Sequence, residues 1–211
     1  GARLLVSSDI LFVNLPPFES YYAEGIPHLG MLSVLTSLRH HGYSVSYLDC
    51  AGGNVRRHQI LQRIKEAAPR MVGFSVDTDN LFSASHLSHD LKREMGSAVH
   101  IIFGGPATQA DASEVMKRSA ADVVVIGEGE YTAPEVADCL LRGRGELKQI
   151  SGICYRSPQG LVTTAPRQPI QDLDAIPFPD RNLLSNPKNY RASLLSGRGC
   201  PFKCTFCFEG R

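Results

Sequence analysis

Five apolar runs, each followed by a stretch of helical period, constrain this chain more than any other feature. The runs are "ILFVNLP", "YSVSYLDC", "RMVGFSVD", "VHIIFGG" and "ADVVVIG". Strands that are apolar on both faces must be covered on both faces, which is the condition of a parallel sheet in an α/β protein. The stretches between them, "LGMLSVLTSLRHHG", "NVRRHQILQRIKEAAP", "NLFSASHLSHDLKREMG", "ASEVMKRSA" and "YTAPEVADCLLRG", read as helices; in the last, Thr132 and Glu135 have capping-box spacing. Right-handed crossovers then give a doubly wound, flavodoxin-like sheet of five parallel strands over residues 1–145.

The pattern changes at Glu146. "ISGICYRSPQGLVTTAP" predicts a β-hairpin turning at Ser-Pro-Gln-Gly, and the Pro-, Asp- and Asn-rich stretch up to residue 190 reads as a wrapping linker. Residues 191–211 predict one more short strand, from "RASLLSGRGC", running into a cysteine loop. Formal net charge is +1 with both signs interspersed, so no basic face points to nucleic acid. No apolar run is long enough to span a membrane, and the N-terminus lacks a signal-peptide pattern. Gly1-Ala2 without an initiator Met reads as a trimmed start, and the expected compartment is the cytoplasm.

"GCPFKCTFC" carries Cys200, Cys204 and Cys207. Cysteine ligates as thiolate, and a tight loop can aim three thiolates at one centre. Structural zinc prefers four ligands; only Cys50, Cys139 and Cys154 remain, and no histidine follows His100. Three thiolates on a cube of four irons leave one iron open to a cofactor or substrate. Zinc, a loop of unrelated thiols and a disulfide framework are the alternatives, the last better suited to short secreted chains.

In open α/β sheets, ligands bind beyond the carboxyl ends of the strands. Strand three ends in Ser75-Val76-Asp77-Thr78, strand four in Gly104-Gly105-Pro106 and strand five in Gly127-Glu128-Gly129-Glu130. Glycine lets backbone approach a large flat ligand closely, although paired glycines also serve plain turns. The first strand is followed by "NLPPF", which is no phosphate cradle.

"GCPFKCTFCF" resembles the signature of the radical S-adenosylmethionine superfamily. "PHLGMLSVLTSLRHHGYSVSYLD", "VGFSV", "FGGPAT" and "VIGEGE" resemble, in order and spacing, the cobalamin-binding domain that precedes many barrels of that superfamily. The resemblance implies a [4Fe-4S] cluster on Cys200, Cys204 and Cys207, with S-adenosylmethionine chelating the open iron and Phe206 beside its adenine; simple packing is the other role for Phe206. It implies cobalamin on the strand ends, its nucleotide tail running down among the strands. Ser75, Thr78, Gly104, Gly105, Pro106, Gly127, Glu128 and Gly129 are the positions it carries over; no catalytic side chain is identified.

Two departures matter. Ala107 stands where the family often has histidine after Gly-Gly-Pro. No Asp-x-His-x-x-Gly motif follows the first strand, so cobalamin is expected base-off without a motif histidine on cobalt. His28, in the long loop after that strand, is expected in a loop or core role, with a cobalt or corrin contact as the alternative, and His86 and His89 on a solvated helix face, with a metal pair as the alternative.

The resemblance favours a methyltransferase that passes a methyl group from S-adenosylmethionine through cobalamin to a substrate opened by a 5′-deoxyadenosyl radical. A small-molecule or peptide substrate would bind in a barrel following Arg211, and flavodoxin or ferredoxin would donate the electron; residues 1–211 alone would be inactive. The alternatives are a methylthiotransferase, with Cys50, Cys139 and Cys154 on a second cluster, and a free-standing cobalamin carrier or sensor. Cys139 is expected as a buried thiol inside helix five, which argues against the second cluster.

Overall fold

In the computed structural model, which describes residues 8–16, 25–50, 55–202 and 204–205, the five runs form β1 (Ile10–Asn14), β2 (Val45–Asp49), β3 (Met71–Ser75), β4 (His100–Gly104) and β5 (Val123–Val125). They are parallel and ordered β2-β1-β3-β4-β5, so the order reverses between β1 and β3. Helices α1 (Leu29–His40) and α5 (Gly129–Arg142) cover one face. The other face is covered by α2 (Arg57–Ala67), α3 (Leu81–Met95) and α4 (Pro106–Arg118). Leu32, Leu35 and Leu38 of α1 are all 0% exposed. Burial of each contributes roughly 1.5–3 kcal/mol before the entropy of ordering it is set against that.

The expected hairpin is more closely joined to the sheet than a linker would be. Strand β6 (Ile153–Ser157) pairs antiparallel with β5, and β7 (Gly160–Thr163) pairs antiparallel with β6, making one sheet of seven strands. Arg156 fixes this addition by donating to the carbonyl of Met116 in the last turn of α4 and to those of Ser119 and Ala121 in the turn that follows. By contrast, the strand expected within residues 191–199 does not form. Strand structure needs a ladder partner, and no neighbouring strand is there to pair with it among the described residues.

Helix α4 starts six residues before the expected Ala112. Gly105 is its N-cap with φ 98°, and Pro106 takes the first helical position, where its missing N–H costs nothing. The helix then breaks its regular dihedrals at Asp111 (φ −157°, ψ 90°), whose carboxylate accepts the Glu114 N–H at 2.8 Å. Asp111 therefore caps the second half of α4, the part visible in the hydrophobic pattern. The capping box expected at Thr132 and Glu135 is not used: α5 begins at Gly129, and the Thr132 hydroxyl donates to the Glu128 carbonyl inside its first turn at 3.2 Å.

The linker after β7 is ordered by specific contacts. The Asp180 N–H donates to Thr36 Oγ1 at 2.9 Å and its carboxylate pairs with Arg39, both on α1. Leu184 is 2% exposed and joins the core between α1, α5 and the sheet. Tyr190 Oη donates to Asp49 at the tip of β2 at 2.6 Å, and the Arg191 N–H to the Gly25 carbonyl, also at 2.6 Å.

Gly73 is in the middle of β3, opposite Phe12 of β1, and a Cβ added there would stand 2.3 Å from the Phe12 ring. Gly73→Ala is expected to destabilise the chain by about 1–3 kcal/mol, the cost of overpacking a filled core. The additional change Phe12→Leu should recover part of that loss. Urea unfolding of the two single variants and the double variant checks both statements.

Candidate functional site

The carboxyl ends of β3, β4 and β5 lie side by side and are tied together through backbone. The Val76 N–H donates to the Gly104 carbonyl at 2.7 Å, and the Ala107 N–H returns to the Val76 carbonyl at 3.0 Å. Gly105 makes this stitch possible. A Cβ there would meet Ser75 Oγ at 2.7 Å and the Val76 backbone at 2.8 Å, and its φ of 98° is one that side-chain-bearing residues rarely adopt. Thr108, buried in the first turn of α4, donates to the carbonyls of Gly105 and Val125, binding the rim of β4 to that of β5. Beside it, Asp77 accepts the N–H groups of Asp79 and Asn80, and the Asn80 amide donates to the Ser75 carbonyl at 3.1 Å, which fixes the turn after β3.

Below this rim a narrow crevice of about 70 Å³ runs between α1 and α5 along the sheet. Val34 and Met31 wall it on one side, Gly129 and Ala133 on the other, with Gly104 and Gly127 at its mouth. Its lining is almost wholly apolar, Ser75 being the polar side chain. A Cβ on Gly129 would stand 2.9 Å from Val34, whereas one on Gly127 would meet nothing within 4 Å. The mouth is thus open bare backbone, and the depth is limited by one valine against one glycine.

Of the carried-over positions, Ser75, Gly104, Gly105, Gly127 and Gly129 gather at this rim and crevice. Thr78 is solvent-exposed, its hydroxyl reaching Asp79 at 3.4 Å, and Pro106 is exposed at the start of α4. The Glu128 carboxylate accepts the Ile170 N–H of the linker at 2.5 Å and Arg198 Nη1, from the segment after the linker, at 2.8 Å. Cys200 and Cys204 are exposed free thiols; Cys207 and Phe206 lie outside the described residues.

Cys50, Cys139 and Cys154 are not brought together. Cys50 and Cys154 are buried on the face covered by α2, α3 and α4, while Cys139 is on α5 against the opposite face and only half-buried, less so than its helical position predicts. Cys50 follows β2 and Cys154 lies in β6, five strand spacings away in the sheet order, or roughly 24 Å. Burial pushes the Cys50 thiol up to about 12, so it stays protonated. His86 stacks edge-on with Phe82 at 4.3 Å, and His89 meets the Arg118 carbonyl at 3.2 Å; both are exposed, as a solvated face predicts.

His28 is the N-cap of α1, and its Nδ1 accepts the Met31 backbone N–H at 3.2 Å. A backbone N–H can only donate, so Nδ1 carries the lone pair and the neutral ring has its proton on Nε2. That tautomer offers Nε2 as a donor, whereas an imidazole ligand to a metal through Nε2 needs its lone pair there. The reading of His28 as a loop residue thus acquires a chemical reason. Two further groups stand inside the quoted motif stretches with no role assigned to them there: Glu130, buried in α5, and Asp49, which accepts Asn14 Nδ2 at 3.0 Å and Tyr190 Oη at 2.6 Å. Glu130 was legible as the last residue of "VIGEGE", ahead of the helix expected from Tyr131, where nothing in the sequence marks an acidic residue as buried.

A family model described as the B12 binding domain matches residues 22–137. An uncharacterized methyltransferase of Pyrococcus horikoshii is 32% identical over 208 residues, covering 93% of this chain and 44% of the relative. An anaerobic magnesium-protoporphyrin IX monomethyl ester cyclase of Rubrivivax gelatinosus is 29% identical over 215 residues, covering 95% and 38%. This chain therefore spans less than half the length of these relatives. Among solved structures, the cobalamin-dependent S-adenosylmethionine radical enzyme OxsB, with aqua-cobalamin and S-adenosylmethionine bound, superposes with a TM-score of 0.78 at 21% identity. It matches 94% of this chain and 28% of its own, a likeness of fold. No helix among the described residues is long and apolar enough to cross a membrane.

Burial holds the His28 pKa below its ordinary 6.5, because the desolvated ring resists a second proton. As pH falls through 6.5, the unfolded chain takes up a proton that folded His28 refuses, so stability is lost toward acid pH. His100 is depressed for the same first reason and contributes in the same direction. His28→Asn, which preserves a capping side chain, should remove only the His28 share of the decline between pH 7 and pH 5, as read by thermal unfolding.

Proposed function

This chain belongs to the B12 binding domain family, and from that premise we propose that it is the cobalamin-holding part of a radical S-adenosylmethionine enzyme, of which a methyltransferase is the favoured kind. The carrying observation is the open backbone at Gly104 and Gly127 above an apolar crevice between α1 and α5, with Gly105 stitched to the turn after β3 beside it. A large flat ring system needs a shelf that side chains do not occupy, and an apolar tail base needs a slot that water does not favour; the rim and crevice offer one of each. Gly104 and Gly127 would hold the ring edge by backbone approach, and Val34 and Gly129 would grip the tail base between helices. His28 Nδ1 is taken up by the Met31 N–H, which supports a cobalamin that does not have this nitrogen on cobalt.

Cys200, Cys204 and Cys207 would hold the cluster, and the exposure of the two described thiols leaves them free to ligate. When bound, cobalamin supplies methyl-carrying chemistry and the cluster a single electron to S-adenosylmethionine. The separate burial of Cys50 and Cys154, with Cys139 on the other face, speaks against a second cluster and so against a methylthiotransferase. Names among the relatives include both methyltransferase and cyclase, so the reaction would be chosen by the part of the protein that binds substrate. The reading places the enzyme in the reducing cytoplasm, with a flavodoxin- or ferredoxin-type donor, and away from nucleic acid and membrane.

The chain purified with hydroxocobalamin and freed of excess by gel filtration should retain corrin absorbance. Gly129→Ala, whose Cβ crowds Val34, should weaken that binding by about tenfold or more, ~1.4 kcal/mol or above, with binding compared at a temperature where circular dichroism shows the variant folded. After anaerobic reconstitution, Cys200→Ala or Cys204→Ala should abolish cluster absorbance. No retained corrin, together with iron for two clusters, would overturn the reading in favour of a methylthiotransferase.

A further inference from the structure

Arg198 stands two residues before Cys200, and its guanidinium bridges two carboxylates at the head of α5. Nη1 donates to Glu128 Oε1 at 2.8 Å and Nη2 to Glu130 Oε1 at 2.6 Å. The Glu130 side chain is only 5% exposed, so its charge depends on a counter-charge held in place. The same oxygen of Glu130 also accepts Ser33 Oγ, from α1, at 2.8 Å. One carboxylate oxygen thus joins α1, α5 and the segment that leads into the cysteine loop.

These groups are next in sequence to the walls of the crevice. Ser33 precedes Val34, and Glu130 follows Gly129, the pair whose close approach limits the crevice. At about 70 Å³ the crevice takes only a few atoms, so a flat bicyclic ring can enter only if α1 and α5 part or Val34 turns aside. Parting the helices draws Ser33 away from Glu130 and shifts the anchor of Arg198.

We propose that Arg198 is a positioning residue that docks the cysteine loop onto the crevice wall through Glu128 and Glu130, so that a ligand between α1 and α5 is felt at Cys200. That the loop so docked carries a cluster rests on the function proposed above; the clasp itself does not. Lysine cannot replace the arginine fully, because one ammonium cannot present two parallel donors to carboxylates on either side of it.

Hydrogen exchange followed by mass spectrometry on the 211-residue chain tests this. Without corrin, Arg198→Met should speed exchange over residues 190–202 by about tenfold or more and leave β3 and β4 unchanged, with Arg198→Lys in between. Since Arg198→Met leaves Glu130 buried without a counter-charge, the double variant Arg198→Met/Glu130→Gln provides the same comparison with no orphaned charge. Unchanged exchange over 190–202 in both variants, or an equal rise throughout the sheet, overturns the clasp. With hydroxocobalamin added, exchange over 190–202 should change in the wild type and not in the variants; an equal change in all of them overturns the coupling. Should hydroxocobalamin fail to bind the wild type, the proposed function falls, and the corrin-free comparison still decides the clasp.

Discussion

Both faces of the five parallel strands are sealed by helices, and that burial governs where anything else can happen. The central strands β1, β3 and β4 are paired on both sides and their side chains packed, so a ligand finds free N–H groups and free space most readily where strands stop. The strand order reverses beside β1 and β3, and the connections after them leave to opposite faces. The rim at β3, β4 and β5 is therefore the place where backbone lies open, and the sequence has kept side chains off it at Gly104, Gly105 and Gly127. Gly105 adds a second constraint, since it allows two neighbouring turns to bond backbone to backbone.

The strands and helices were legible because burial on two faces leaves a plain record in apolar runs. What the runs could not show was anything decided by a single atom. Helix α4 begins at Pro106 because Gly105 can adopt φ 98°, and the hydrophobic pattern starts only after Asp111, where the helix is capped a second time. The capping box at Thr132 was a matching letter pattern in a helix that had already begun. The hairpin was visible, but its docking on β5 depends on Arg156 meeting three carbonyls brought together from α4 and the turn after it. Likewise, the glycines of the rim could be named from motif order, whereas the crevice they open into depends on Val34, a residue without any signature.

The linker shows the same limit more strongly. Its Pro, Asp and Asn content reads as irregular chain, and irregular it is, yet it is held at α1 by Thr36 and Arg39, at β2 by Asp49 and at α5 by Glu128, while Arg198 beyond it reaches Glu128 and Glu130. Each anchor is a polar group whose partner is far away in sequence. Periodicity cannot report such pairs, because their physics is local in space only. Glu128, named beside the glycines after β5, accepts both from the linker at Ile170 and from Arg198 of the segment after it, a pairing no local pattern announces.

The docking of β6 on β5 bears on how the protein can be shortened. Cut at residue 145, where the sequence alone would draw the border of the domain, the chain would end its sheet at Val123–Val125, three bare valines with unpaired amides along one side. Such a border invites strand-to-strand association between molecules and poor solubility. The smallest well-behaved folding unit should extend past β7 to residue 165 or beyond, with the short, half-exposed β7 as its protective margin.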